Sequence, residues 1–138
     1  MDSFHILVVE DYEPFRKFVC ALLQENGRFQ ISQASAGAEV AEKCRELKPD
    51  LILLDIGLPD VNGLEVARRV RELAPATKIV FLSAESDEDI VKEALSLGEG
   101  YIHKSRVQGD LLPTVEALLG ARGRTKKSRS CNIPLLLI

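Results

Sequence analysis

Asp55 ends the apolar run Leu51-Ile52-Leu53-Leu54, and the acidic pair Glu10-Asp11 ends another, Ile6-Leu7-Val8-Val9. Both runs are short enough to be strands, and an open parallel sheet places its ligand site at the carboxyl ends of its strands. Carboxylates gathered at one such edge repel each other and call for a hard cation. Mg²⁺ suits them, because it keeps several waters and takes only one or two carboxylates besides phosphate oxygens. An ion held by Glu10, Asp11 and Asp55 would also offset the charge of an incoming phosphoryl group, with Asp55 as the carboxylate nucleophile. A single acid after a strand is ordinarily a helix N-cap, and Asp11 is placed to cap the first helix. Three acids converging on one edge argue for more than capping.

Two further residues belong to this chemistry by position. Ser83 ends the run at 79–82, where its hydroxyl could donate to a phosphoryl oxygen. Lys104 follows the short run at 101–102 and could reach the same edge as a point charge for phosphate. Alone, Ser83 would be a turn residue and Lys104 a solvated surface lysine; their placement relative to Asp55 raises both.

The elements that must position these side chains alternate. The runs at 6–9, 51–54 and 79–82 have no polar interruption, as expected of parallel strands covered on both faces. Phe29-Gln30-Ile31-Ser32 alternates, which suits an edge strand, and Tyr101-Ile102 is a short fifth strand. Between them, apolar residues recur at helical period: Phe15, Phe18, Val19, Leu22 and Leu23; Val40, Ala41, Cys44 and Leu47; Val66, Val70, Leu73 and Ala74; Ile90, Ala94 and Leu97; Leu111, Val115 and Leu118. Pro14, Gly27, Lys48-Pro49, Pro75, Asp87 and Gly98 supply starts and stops. The expected fold is α/β, a flavodoxin-like (βα)5 doubly wound parallel sheet of strand order 2-1-3-4-5. Its switch point lies between the first and third strands, the two that end in acids.

Composition bounds the rest. The chain has 138 residues, 46% hydrophobic and 28% charged, enough for one domain with a real core. Residues 1–120 carry the pattern; residues 121–138 read as a basic linker or tail ending in an apolar stretch, Ile133-Pro134-Leu135-Leu136-Leu137-Ile138, that has no assignment. The tail holds five basic residues and no acidic ones, so the part before it carries 13 basic against 21 acidic residues, a net −8 within a total of −3. An acidic body argues against direct nucleic-acid binding by this segment. No apolar stretch is long enough for a membrane span, and the start lacks a basic signal-peptide region, so the expected compartment is the cytoplasm. Cys20 and Cys44 read as small buried hydrophobes, and Cys131 completes an odd set without metal spacing.

The combination Glu10-Asp11, then Asp55-Ile56-Gly57-Leu58-Pro59-Asp60-Val61-Asn62-Gly63, then Ser83-Ala84, then Tyr101-Ile102-His103-Lys104-Ser105 closely resembles the receiver domain of bacterial response regulators, over about residues 4–120. The resemblance implies that a sensor histidine kinase donates a phosphoryl group to Asp55. It implies that Glu10, Asp11, Asp55 and the backbone carbonyl of Gly57 hold Mg²⁺, and that Ser83 and Lys104 bind the phosphoryl oxygens. It further implies that Tyr101 turns inward as Ser83 shifts, and that the face of the fourth helix, fifth strand and fifth helix carries the signal to a downstream protein or a C-terminal output domain. A homodimer through that face follows from the same resemblance. Such a protein turns over no external substrate and is not an enzyme in that sense.

Three positions depart from the common pattern. Ser105 stands where many receivers have proline, which is similar to the nitrate-regulator branch, whose helix-turn-helix has no counterpart in these residues. Leu97-Gly98-Glu99-Gly100-Tyr101 is one residue shorter than the usual loop, which bears on the reach of Lys104 and the pose of Tyr101. Gly57 replaces a larger side chain, which bears on water access to the phosphoryl group and on its lifetime.

Two other classes fit the residues less well. An aspartate-nucleophile phosphatase of the haloacid-dehalogenase kind wants a general acid two residues after the nucleophile, where this chain has Gly57. A flavodoxin-like cofactor binder wants a Ser, Thr and Gly loop after the first strand, where this chain has Glu10-Asp11-Tyr12-Glu13.

Overall fold

Uninterrupted apolar runs can only be strands if both faces are covered, and the chain covers them with helices on two sides. In a computed structural model of the protein, residues 3–120 are described. The expected tail, with Cys131 and the apolar stretch after it, lies outside the described residues. The elements in order are β1 (Phe4–Val9), α1 (Glu13–Gln24), β2 (Phe29–Ala34), α2 (Val40–Leu47), β3 (Leu51–Leu54), α3 (Gly63–Leu73), β4 (Lys78–Ser83), α4 (Glu88–Leu97), β5 (Gly100–His103) and α5 (Val107–Leu119). Single 3₁₀ turns at Gly37–Glu39 and Lys104–Arg106 lead into α2 and α5. The five strands form one parallel sheet in the order β2-β1-β3-β4-β5, as the pattern predicts.

Strand alternation sorts the core into two layers. Ile6, Val8, Leu51, Leu53, Val80 and Leu82 face α1 and α5, where they meet Val19, Leu23, Leu111 and Val115. Leu7, Val9, Ile52, Leu54, Ile79 and Phe81 face α2, α3 and α4, where they meet Val40, Cys44, Val66, Val70 and Ala94. Each such side chain, fully buried, contributes about 1.5–3 kcal/mol of transfer free energy. Cys20 and Cys44 are free and buried, and burial pushes both thiols up. β2 pairs with β1 alone and is an edge strand, as expected; β5, paired with β4 alone, is the other. Among the described residues, no helix is long and apolar enough to cross a membrane.

One boundary differs from expectation and the others fall where the pattern puts them. The N-cap of α1 is Tyr12, with no side-chain cap, so Asp11 is not a capping residue and its carboxylate stays free for other work. Pro14 occupies the first turn, where a missing N–H costs nothing. The end of α1 comes before Gly27, because Asn26 takes over there, accepting from the Arg28 amide and donating to Glu116 of α5. Lys48 closes α2 in the left-handed region (φ 48°) before Pro49. Asp87 caps α4 as expected, accepting from the amides of Asp89 and Ile90.

The short loop before β5 is held by Glu99. Its amide donates to the Ile79 carbonyl (2.7 Å), and its Oε1 accepts both from the Ile79 amide (2.7 Å) and from Arg71 (2.6 Å). Arg71 also donates to the carbonyls of Leu97, Pro75 and Thr77. A Cβ on Gly98 would stand 2.7 Å from the Ile79 carbonyl oxygen, so only glycine lets the loop come this close.

Asp60 ties the loop after β3 to the start of α2. Its two carboxylate oxygens accept from the amides of Gly37 and Ala38, both at 2.9 Å.

Two outcomes follow from these ties. Replacing Glu99 by alanine leaves the amide of buried Ile79 without its acceptor and takes one of four acceptors from Arg71, and is expected to lower unfolding free energy by about 2 kcal/mol in urea titrations. The amide hydrogen bonds of Asp60 hold its carboxyl below the ordinary 3.8. A lowered folded-state pKa stabilises above the unfolded value and is lost as pH falls through the folded one. The urea-midpoint difference between the wild type and Asp60→Asn should therefore be constant above pH 3.8 and shrink below it.

Candidate metal and phosphoryl site

Register brings the acids together. Val9 pairs with Leu54, and one step on the Asp55 amide donates to the Val9 carbonyl at 3.2 Å, so Glu10 and Asp55 leave the sheet side by side. Glu10 and Asp55 are buried, Asp11 is exposed, and one oxygen from each lies within 4.8 Å of the others. Glu10 is fixed twice over. Its amide continues the β1–β2 ladder to Ala34, and its carbonyl accepts from Arg16 of α1 at 2.9 Å.

Every oxygen of the two buried carboxylates has a neighbour. Asp55 Oδ1 accepts from the Gly57 amide at 3.0 Å, and Oδ2 from Lys104 Nζ at 3.1 Å. Glu10 Oε2 accepts from the Tyr12 amide at 3.0 Å. Glu10 Oε1 has no well-directed hydrogen bond and is met by Lys104 Nζ as an ionic contact at 2.8 Å. The short loop therefore does deliver Lys104 to the site. Burial disfavours the lysine's charge, but Glu10 and Asp55 outweigh that and hold it above the ordinary lysine value. Burial pushes the Glu10 carboxyl up; Lys104 and the Tyr12 amide pull against it, and the Asp55 charge adds to the rise.

One ammonium faces three carboxylates, so the cluster is under-compensated. A buried carboxylate oxygen without a directed donor, beside two more acids, is a donor set that fits a hard divalent cation. Glu10, Asp11 and Asp55 are the residues that could hold it.

A cleft of about 360 Å³ opens in front of Asp55, lined by Asp55, Ile56, Gly57, Ser83, Ala84, Glu85 and Lys104. Ser83 is buried at the end of β4, and its Oγ accepts from the Glu85 amide at 3.2 Å. Its hydroxyl hydrogen is not used in that bond and can turn to an acceptor in the cleft. The Glu85 carbonyl in turn accepts from the Tyr101 hydroxyl, and the Tyr101 ring packs against the core layer under α2, α3 and α4. A chain of two hydrogen bonds thus runs from Ser83 to Tyr101. The structure brings together all the residues singled out from sequence: Glu10, Asp11, Asp55, Gly57, Ser83, Lys104 and, at the end of this chain, Tyr101.

Four residues support the site in ways the sequence did not assign to them. Arg16 braces the Glu10 carbonyl; it looked like part of a helix's polar face. Phe15 lies under Lys104, its ring centroid 4.9 Å from Nζ; it looked like core. His103 accepts from the Ser105 amide through Nδ1, which leaves Nε2 to donate to the Ala84 carbonyl at 3.2 Å and so links the loops that carry Ser83 and Lys104. Gly63 opens α3 so tightly against the site that an added Cβ would lie 2.3 Å from the Asp55 carbonyl oxygen. Gly63 alone had a signal, its fixed distance from Asp55.

The description of a response regulator receiver domain matches residues 6–116. Chemotaxis protein CheY of Thermotoga maritima is 31% identical over 93 residues, which cover 67% of this chain and 78% of that protein. The transcriptional regulatory protein CreB of Escherichia coli is 32% identical over 115 residues, 83% of this chain but 50% of CreB. The chain spans about half the length of most of the curated relatives it matches. Among solved structures, the signal receiver domain of NarL from Mycobacterium tuberculosis superimposes with a TM-score of 0.79 at 29% identity, over 90% of this chain and 100% of that one.

The contact at Gly63 carries a prediction. Gly63→Ala forces α3 away from the Asp55 backbone and should cost about 3 kcal/mol of stability, as overpacking of a tight contact does. Gly109→Ala, where an added Cβ meets nothing within 4 Å, should leave the thermal midpoint unchanged or raised in the same assay.

Proposed function

Because the chain belongs to the response regulator receiver family of two-component systems, we propose that it is a phosphorylation-dependent switch whose acceptor is Asp55. The observation that carries this is the setting of Asp55: a buried carboxylate facing an open cleft, with one oxygen on Lys104, two more acids beside it and the Ser83 hydroxyl on the same cleft. In the proposed step an Asp55 oxygen attacks the phosphorus of a phosphohistidine on a sensor kinase. The new P–O bond forms as the P–N bond to the histidine ring breaks, and the ring leaves with the bonding pair. Mg²⁺ held by Glu10, Asp11, Asp55 and the Gly57 carbonyl would supply the countercharge that the phosphoryl oxygens require. Lys104 exchanges Asp55 for a phosphoryl oxygen, and the Ser83 hydroxyl turns to donate to another.

The switch is the chain from Ser83 to Tyr101. When Ser83 turns toward a phosphoryl oxygen, its bond to the Glu85 amide is pulled with it, and Glu85 carries the Tyr101 hydroxyl. About two added negative charges at Asp55 thereby bias the surface of α4, β5 and α5. The proposed partners are a sensor histidine kinase and, beyond these residues, an output domain or a downstream protein, with a homodimer through the same face as one form of output. CreB, a transcriptional regulator twice the aligned length, fits a role of this segment as the regulatory part of a longer protein. DNA contact would then belong to other residues. No external substrate is turned over, and the setting is the cytoplasm, where such kinases present their phosphohistidine.

Intact mass after incubation with Mg²⁺ and acetyl phosphate tests the reading. One phosphoryl group is expected on the wild type, with none on Asp55→Asn and none after chelation of Mg²⁺. A folded, Mg²⁺-binding wild type that stays unmodified would leave only a binding module without phosphoacceptor chemistry.

A further inference from the structure

Lys104 makes one contact beyond the carboxylates and the cleft. Its Nζ lies 4.9 Å from the centroid of the Phe15 ring, while the same nitrogen is 2.8 Å from Glu10 Oε1 and 3.1 Å from Asp55 Oδ2. Phe15 follows Pro14 in the first turn of α1, and its ring is backed by Phe18 at 6.3 Å between centroids, tilted by 43°. Phe15 does pack against the core layer on the α1 side, as its place in the helical repeat requires. Contact with that core layer asks for an apolar side chain, which leucine also is. An aromatic face adds negative quadrupole charge, which attracts an ammonium, and more strongly where water is partly excluded. The Lys104 side chain is only 24% exposed.

We propose that Phe15 is a positioning residue: the face of its ring holds the Lys104 ammonium beside the carboxylates and keeps it there while Asp55 is exchanged for a phosphoryl oxygen. This rests on the reading of Lys104 as the phosphoryl-binding cation. The physical need is plain. Lysine is a point charge on a flexible four-carbon stem; its hydrogen bond to Asp55 depends on direction, and its contact with Glu10 Oε1 is ionic only. When Asp55 is modified, one of those contacts must break. Attraction to a ring face has no lone-pair direction, so the ammonium can turn over it without being released. A stem held this way samples fewer poses between the two states than one fixed by hydrogen bonds alone.

The test uses the full 138-residue chain. Compared proteins are the wild type, Phe15→Leu, Phe15→Tyr, and variants carrying singly, doubly and triply fluorinated phenylalanine at 15, which lose ring electron density but little shape. Three quantities are measured: the NMR shifts of the Lys104 methylene protons next to Nζ without any donor, the rate of phosphorylation by acetyl phosphate with Mg²⁺, and the thermal midpoint. Acetyl phosphate has no protein surface, so a rate effect cannot come from partner docking. The expected result is ring-shifted Lys104 protons in the wild type and Phe15→Tyr that relax in Phe15→Leu. The rate should fall stepwise with fluorination, by about 3- to 10-fold in all, with Phe15→Tyr near wild type and midpoints little changed. A flat rate across the fluorinated series, or a rate that only follows the midpoint, would overturn the proposal and leave Phe15 as packing. If the wild type accepts no phosphoryl group, the receiver reading fails by itself. The proton shifts then still decide whether the ring holds the ammonium, and unshifted protons overturn that too.

Discussion

Two carboxylates buried at adjacent strand ends cannot both stay ionised without a cation, and the arrangement around Lys104 follows from that. Its ammonium sits 2.8 Å from Glu10 and 3.1 Å from Asp55, and the two acids hold its charge firmly in place against burial. One positive charge does not balance three acids. The site is therefore built around a deficit, and a divalent cation or a change of charge at Asp55 meets a cluster already poised to respond.

The loops around the sheet edge serve that constraint in different ways. Gly63 lets α3 begin in contact with the Asp55 backbone, and Asp60 fastens the same loop to the start of α2. The Asp55 side chain thus projects from a segment tied at both ends. The loop carrying Ser83 is held by hydrogen bonds alone: from the Glu85 amide to Ser83, from Tyr101 to the Glu85 carbonyl and from His103 to the Ala84 carbonyl.

The shortened approach to β5 shows how such a site tolerates change at a distance. Removing a residue before Tyr101 would be expected to pull Lys104 out of reach. Instead Glu99 pairs with both the amide and the carbonyl of Ile79, Arg71 gathers three nearby carbonyls, and Gly98 closes against the strand. The length is made up at the far end of β5, so its near end still places Lys104 at Asp55.

The alternation of apolar runs with helical repeats determined the sheet, its strand order and the edge at which the acids meet, because burial on two faces leaves such runs few other arrangements. The types of Glu10, Asp11, Asp55, Ser83 and Lys104, each at or just beyond a strand end, were enough to show which side chains would meet at one edge. Which partner each group takes was not legible. Asp11 reads equally well as a helix cap, and only the backbone at Tyr12 decides otherwise. Phe15 and Arg16 read as the two faces of a helix, because nothing local says that α1 passes beneath a lysine 89 positions away. Contacts of that kind depend on the packing angle of whole elements and on rotamers chosen by distant neighbours. A sequence pattern fixes the faces of an element, and tertiary packing alone decides what each face touches.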